Sequence, residues 1–194
     1  MKLMVLDGNS IVNRAYYGVG KARLLTTRQG LHTNAIYGFV TMLQKLLDQE
    51  KPDAVCAAFD RQEPTFRHKA DAAYKANRKG MPEELAEQML PLKQVLDAMS
   101  VPCYELSGYE ADDLIGTISR KCEAAGWDCV VVTGDKDSLQ LITDRTKVKL
   151  VSTRMGQTTT KDMTPETFRA QYGFEPIHMI DLKALMGDTS DNIP

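Results

Sequence analysis

Val130-Val131-Val132-Thr133-Gly134-Asp135-Lys136-Asp137 is the stretch on which the fold turns. An unbroken β-branched run reads as a buried strand. At its exit Asp135 and Asp137, two apart on extended backbone, point the same way, and Gly134 lets a backbone or a ligand come close. Two further apolar runs also finish in an acid: Lys2-Leu3-Met4-Val5-Leu6-Asp7 and Ala54-Val55-Cys56-Ala57-Ala58-Phe59-Asp60. In an open parallel sheet such acids gather at the carboxyl edge, where these sheets bind ligands.

A second acidic burst, Gly108-Tyr109-Glu110-Ala111-Asp112-Asp113-Leu114-Ile115-Gly116, sets three carboxylates at the start of a helical apolar pattern. The helix dipole favours one or two acids there, by about 0.3–1 kcal/mol each. Three crowded ones repel and raise one another's pKa, a conflict that a hard divalent cation with oxygen ligands removes. Gly187-Asp188-Thr189-Ser190-Asp191-Asn192 adds a last pair. The candidate metal ligands are therefore Asp7, Asp60, Glu110, Asp112, Asp113, Asp135, Asp137, Asp188 and Asp191.

Composition narrows the functional classes. The 194 residues suffice for one core and at most a small appendage, and 43% hydrophobic with 26% charged is ordinary for a globular chain. With no basic-then-apolar leader and no apolar run of roughly eighteen residues, the expectation is a cytoplasmic protein without a membrane span. Cys56, Cys103, Cys122 and Cys129 show no close pairing and mostly fall in apolar patterns, which suggests reduced, buried thiols rather than zinc ligands or disulfides. The formal charge of −2 hides a division, because without the nine candidates 17 acids face 24 Lys and Arg. Localised acid and dispersed base suit an enzyme that holds a polyanion by its backbone.

Along the chain, Ser10 is placed to cap a short helix after the first strand, with Arg14 either a phosphate contact near the Asp7 edge or an ordinary surface arginine. Thr33 is expected to cap a helix to about Gln49 whose apolar face is core. Residues 61–80 change texture: six Lys and Arg face two acids, no large aliphatic residue occurs, and Phe66 and Tyr74 are the only big apolar groups. A solvated loop or helix has that composition, yet cations interleaved with a ring also suit single-stranded nucleic acid, which needs phosphate contacts and a surface for a base to stack on. Pro82 opens a helix to about Met99, with a kink or break expected at Pro91. Beyond it come a short strand at Val101–Glu105, the acidic helix to Gly126, the strand at 129–133 and a short helix at 138–142. A strand at 147–152, a turn at Arg154-Met155-Gly156, a helix opened by Thr164 and a last one from Pro176 to Met186 complete the series. Strands alternating with helices make an α/β fold with a mostly parallel sheet.

Six motifs then line up in order: LDGNSIVNRAYY from Leu6, FD at Phe59, FRHKADAAYKANR from Phe66, GYEADDLIG from Gly108, VVTGDKDSLQL from Val131 and LMGDTSDNIP from Leu185. With them the sequence closely resembles the N-terminal 5′-nuclease domain of bacterial DNA polymerase I and, more distantly, phage 5′-exonucleases and flap endonucleases. The resemblance implies a PIN-like sheet flanked by helices across residues 1–194, bearing a basic helical arch at about 61–80. It implies Asp7, Asp60, Glu110 and Asp112 for one Mg²⁺ ion and Asp135, Asp137 and Asp191 for a second, with Asp112 bridging, Asp113 and Asp188 acting through water, and Mn²⁺ able to substitute. Lys75 and Arg78, with Arg67 and Tyr74, would meet the scissile region. In the family a glycine-rich helix-hairpin element that grips duplex DNA follows DNIP, and the sequence closes at Pro194, before it.

The chemistry expected is phosphodiester hydrolysis by two ions about 3.5–4 Å apart, with Lys75 and Arg78 stabilising the developing charge. The implied substrates are DNA with a 5′ flap, nick or 5′ end and the RNA of primer hybrids, cut by a monomer in replication and repair. One rival is an aspartate-nucleophile phosphatase, which wants a second acid two residues after Asp7, where Asn9 stands. The other is a non-catalytic DNA-binding module, which gives no reason for nine converging acids.

Overall fold

The computed structural model describes residues 1–19, 25–78, 80–154 and 157–194. The expected turn at Met155 and Gly156 and the arch residue Lys79 lie outside them. One sheet runs in the order β3-β2-β1-β4-β5-β6. Its strands are β1 (Lys2–Asp7), β2 (Ala54–Ala58), β3 (Cys103–Tyr104), β4 (Asp128–Thr133), β5 (Thr146–Arg154) and β6 (Gln157–Met163). The first five pair in parallel and β6 returns antiparallel along β5. Around it lie α1 (Gly8–Val19), α2 (Asn34–Glu50), α3 (Phe66–Ala70), α4 (Glu83–Ala98), α5 (Ala111–Ala124), α6 (Pro165–Tyr172) and α7 (Met179–Met186).

The apolar runs of β1 and β4 divide residue by residue between two cores. Met4, Leu6, Val130 and Val132 join Ile11, Phe39, Leu43 and Leu92 from α1, α2 and α4, whereas Val5, Val131 and Val148 join Ile115, Phe168 and Met179 from α5, α6 and α7. Covering both faces is why these strands read as unbroken apolar runs rather than as an alternation. From β1 the chain steps outward to β2 and β3, then crosses back through α5 to β4 on the other side of β1. That reversal opens a crevice at the carboxyl ends of β1 and β4.

Three local expectations change. The cap of α1 is Asp7 and not Ser10: the Ser10 N–H donates to Asp7 Oδ1 at 2.9 Å, and the Ser10 hydroxyl accepts from the Gly134 N–H at 2.9 Å. A carboxylate at the end of the strand is the stronger acceptor for the helix's free amides. Thr33 does precede α2, but its hydroxyl donates to the Leu25 carbonyl at 3.1 Å. The Ala35 amide is satisfied by Oε1 of the buried Gln88, at 2.8 Å. Finally, α4 runs unbroken through Pro91, because Leu85, Gln88, Leu92 and Leu96 anchor it on either side of the one hydrogen bond a proline removes. Cys56, Cys122 and Cys129 are buried free thiols and Cys103 is half-buried. No helix among the described residues is long and apolar enough to cross a membrane.

At the C-terminal end of α2, the buried Glu50 meets Lys147 and Lys149 of β5, each at 2.9 Å, and both lysines also bond Asp162 of β6. Burial opposes ionisation of Glu50, but hydrogen bonds from Lys149 and Lys147 outweigh it and hold its pKa below the usual value. Glu50→Gln is expected to lower the melting temperature at pH 7 by about 5–10 °C, the loss of a broken buried pair worth about 3 kcal/mol. A depressed carboxylate pKa stabilises above the unfolded value of 4.5 and loses that contribution as pH falls through the folded one. The gap between variant and parent should therefore close in melts taken below about pH 4.5.

Candidate active site

The crevice is built from strand ends. Asp7 closes β1, and the Thr133 hydroxyl of the neighbouring β4 donates to its Oδ2 at 2.6 Å. Thr133 also accepts the Asp135 N–H at 2.9 Å, and Asp135 Oδ1 accepts the Asp137 N–H at 2.9 Å, so the exit of β4 is locked as a ladder of side chains on backbone amides. Asp60, just past β2, is placed by Asn9, whose Oδ1 accepts its N–H at 3.1 Å. Asp60 Oδ1 in turn accepts the Ala111 N–H at 2.6 Å, at the positive end of the α5 dipole. Glu110 and Asp113 cap the same helix reciprocally, with Asp113 Oδ2 accepting the Glu110 N–H at 3.0 Å. The Arg14 side chain packs against the bare face of Gly134, where a Cβ would lie 1.6 Å from Arg14 Nε and displace the guanidinium. Arg14 donates from Nη2 to the Gly134 carbonyl at 2.6 Å, and its buried Nε finds no partner among the described residues.

One open cleft is lined by all nine candidate acids together with Arg14, Arg67, Tyr74, Lys75 and Arg78. The acids fall into two groups. Five carry ion pairs: Glu110 with Lys75 at 2.8 Å, Asp113 with Arg67 at 2.8 Å, Asp137 and Asp188 with Lys183 at 2.9 and 2.8 Å, and Asp191 with Arg78. Among the described residues the other four, Asp7, Asp60, Asp112 and Asp135, have none. Burial lifts the Asp7 pKa to about 6 against the hydrogen bonds from Thr133 and Ser10, with repulsion from Asp60 and Asp135 adding to it. Asp112 is pushed up to about 7 by desolvation in the cleft and by the charges of Asp7, Asp135 and Asp60. Its side chain still meets cleft water, which screens part of that effect. By contrast Lys183 and Ser190 hold Asp188 well below the carboxylate range.

Four repelling carboxylates offering only oxygen donors fit a hard divalent cation. As placed, no three Asp, Glu, His or Cys side chains among the described residues form a ligand set.

Arg67, Tyr74, Lys75 and Arg78 of the 61–80 segment line this cleft, while most of its other described residues are exposed. Beyond α3 the segment turns so that Lys75 adopts a left-handed φ of +56°, donating its N–H to the Asp191 carbonyl at 2.9 Å. Asn77 and Arg78 donate to the Thr189 and Ser190 carbonyls at 2.9 and 3.2 Å. Tyr74 corrects the expectation of a ring open for stacking: it is 9% exposed. Its hydroxyl donates to Glu110 at 3.1 Å and to Asp191 at 3.2 Å, which draws the ring inward. The exposed ring of the segment is Phe66. Sequence reading also passed over Thr133 and Lys183; the latter's signal was a lone cation within the otherwise apolar or acidic Met179–Met186 helix.

Residues 2–173 match the family described as the 5′-3′ exonuclease, N-terminal resolvase-like domain. The chain belongs to that family. Similar to this exonuclease-family chain is the DNA polymerase I of Bacillus subtilis (strain 168), 46% identical over 193 residues, 100% of this chain and 21% of that protein. The DNA polymerase I of Caldicellulosiruptor bescii is 44% identical over 194 residues, 100% of this chain and 22% of that one. The chain thus spans about a fifth of the length of the curated relatives it matches. Among solved structures, the bacteriophage T5 flap endonuclease in a pseudo-enzyme-product complex with DNA and metal ions aligns with a TM-score of 0.75. At 21% identity, covering 99% of this chain and 68% of that one, it shows the shared PIN-like fold.

Asp112→Asn is expected to raise the melting temperature of the metal-free protein at pH 8. A carboxylate whose folded pKa is raised from 3.8 to about 7 destabilises progressively as pH climbs between those values. The advantage of the variant should fade as melts move from pH 7 toward pH 4, and equal melting at pH 8 would show that Asp112 feels no net repulsion.

Proposed function

We propose that this chain is a divalent-metal-dependent, structure-specific 5′-nuclease that hydrolyses phosphodiesters near 5′ ends, nicks and flaps of DNA and in the RNA of primer hybrids. The observation that carries the reading is the quartet Asp7, Asp60, Asp112 and Asp135, four carboxylates without a cation partner among the described residues, ringed by five acids that have one. Asp7, Asp60, Glu110 and Asp112 would hold one ion and Asp135, Asp137 and Asp191 another, with Asp112 shared. When bound, two Mg²⁺ ions, or Mn²⁺ in their place, supply water activation and charge neutralisation at the scissile phosphate.

The chain's own groups do the rest. Asp113 and Asp188, kept ionised by Arg67 and Lys183, orient water at the edge of the site. Lys75 and Arg78 sit on long side chains and exchange Glu110 and Asp191 for the oxygens of an entering phosphate, where their charge is matched to the transition state. Arg14, fixed across the Gly134 turn, borders the path of the strand. A phosphatase reading is disfavoured because the position two residues after Asp7, where that chemistry wants a second acid, is Asn9, whose Oδ1 is taken up by the Asp60 N–H. Every proposed ligand comes from one chain, so a monomer suffices.

Titrating Mg²⁺ against cleavage of a labelled 5′-flap substrate tests the proposal, and a rate independent of metal would sink it. Asp135→Ala should abolish cleavage while leaving the melting temperature within about 5 °C of the parent, as for an exposed side chain. Lys75→Ala and Arg78→Ala should each slow single-turnover cleavage by at least about 10-fold, equivalent to about 1.4 kcal/mol of lost transition-state stabilisation. Parental rates in both variants would make those cations mere counter-charges to Glu110 and Asp191.

A further inference from the structure

Phe66 and Tyr109 are both 48% exposed, although Phe39, Phe59 and Phe168 are at most 1% exposed and Phe174 is half-buried. Their ring centroids are 5.7 Å apart at an interplanar angle of 57°. The pairing is built and not incidental, since the Phe66 N–H donates to the Gly108 carbonyl at 3.0 Å, tying the start of α3 to the residue before Tyr109. Nothing in stability asks for it: α3 buries no side chain, and each ring leaves half its surface in water. The position is specific too. Arg67 and Glu110, the residues that follow Phe66 and Tyr109, both line the cleft. The Arg67 guanidinium carbon stands 4.5 Å from the Phe66 centroid while its nitrogens hold Asp113 at 2.8 Å.

We propose that Phe66 and Tyr109 form a base-stacking platform on the rim of the cleft, positioning one unpaired nucleotide of the strand whose phosphate enters the site; the inference rests on the nuclease reading. Charge selects this occupant, because the segment carrying Phe66 holds six Lys and Arg against two acids. A polyanion is therefore drawn to the rim, and there a ring face accepts any base while Arg67 adds a cation against it. The platform takes the role that Tyr74 cannot, since its ring is turned inward. Both rings are positioning groups, acting on a nucleotide beside the reacting phosphate.

The test is binding of a fluorescent 5′-flap oligonucleotide, without added divalent metal, with an abasic residue moved one position at a time through the flap and the junction. The parent should bind roughly 10-fold more weakly when the abasic residue occupies one particular position near the cut, the size expected for one lost stack. Phe66→Leu and Tyr109→Leu, which keep apolar bulk and remove the ring, should bind all the oligonucleotides alike at the weakened level, with melting temperature unchanged. Tyr109→Phe should restore the positional dependence. A parent with no positional dependence, or leucine variants that retain it, would overturn the platform. So would a change in sedimentation mass on substitution, which would make the rings a protein contact. Mg²⁺-dependent cleavage of the intact flap is scored separately. Cutting without base dependence removes only the platform, whereas base-dependent binding without cutting removes the nuclease reading and leaves the platform standing.

Discussion

Mutual repulsion among Asp7, Asp60, Asp112 and Asp135 is the constraint on which the rest of the molecule depends. The backbone that carries it is the least yielding part of the fold: Met4, Val5 and Leu6 before Asp7, Ala57 and Ala58 before Asp60, and Val131 and Val132 before Asp135 are all fully buried. With a core packed on each face of the sheet, these strand ends cannot drift apart to relieve the charge. Thr133, Ser10 and Asn9 then fix the carboxylates or the backbone beside them. Stability gained in the two cores is what permits an electrostatically unfavourable edge.

Around that fixed centre the counter-charge sits on long side chains. Lys75 and Arg78 reach in from the arch, Arg67 from α3 and Lys183 from α7, all on long side chains over rigid acids. The left-handed backbone of Lys75 costs roughly 1–2 kcal/mol in a residue with a Cβ and is offset by its amide bond to Asp191 and its ion pair with Glu110. Strain of this kind persists where the surroundings over-determine a conformation, which is common at functional sites. Fixed acids and cations on long side chains together leave the sheet itself out of any rearrangement that the proposed chemistry asks for.

Much of this was legible in residue order. Strand-end aspartates are visible because a β-branched run sets both the strand and the edge at which it stops, so the convergence of acids at one crevice followed from pattern alone. What stayed hidden depended on partners distant in sequence. Tyr74 among lysines and arginines reads as exposed, and only the fold brings its hydroxyl to Glu110 and Asp191. Ser10 looks like the cap until Asp7, one turn earlier, proves the better acceptor. Pro91 reads as a break, yet buried leucines on both sides carry the helix across it. The Phe66–Tyr109 pair was illegible because it is made by one backbone bond between segments that sequence places far apart.

The candidate ligands run from Asp7 to Asp191, and the loop that carries Asp188 and Asp191 is stitched to the arch by Lys75, Asn77, Arg78 and Asn192. A ribosome extending this chain would complete the parallel strands well before it made those last acids. The carboxylate set is therefore a late property of the polypeptide, assembled after the sheet that displays it, so the emerging chain would fold before it could act.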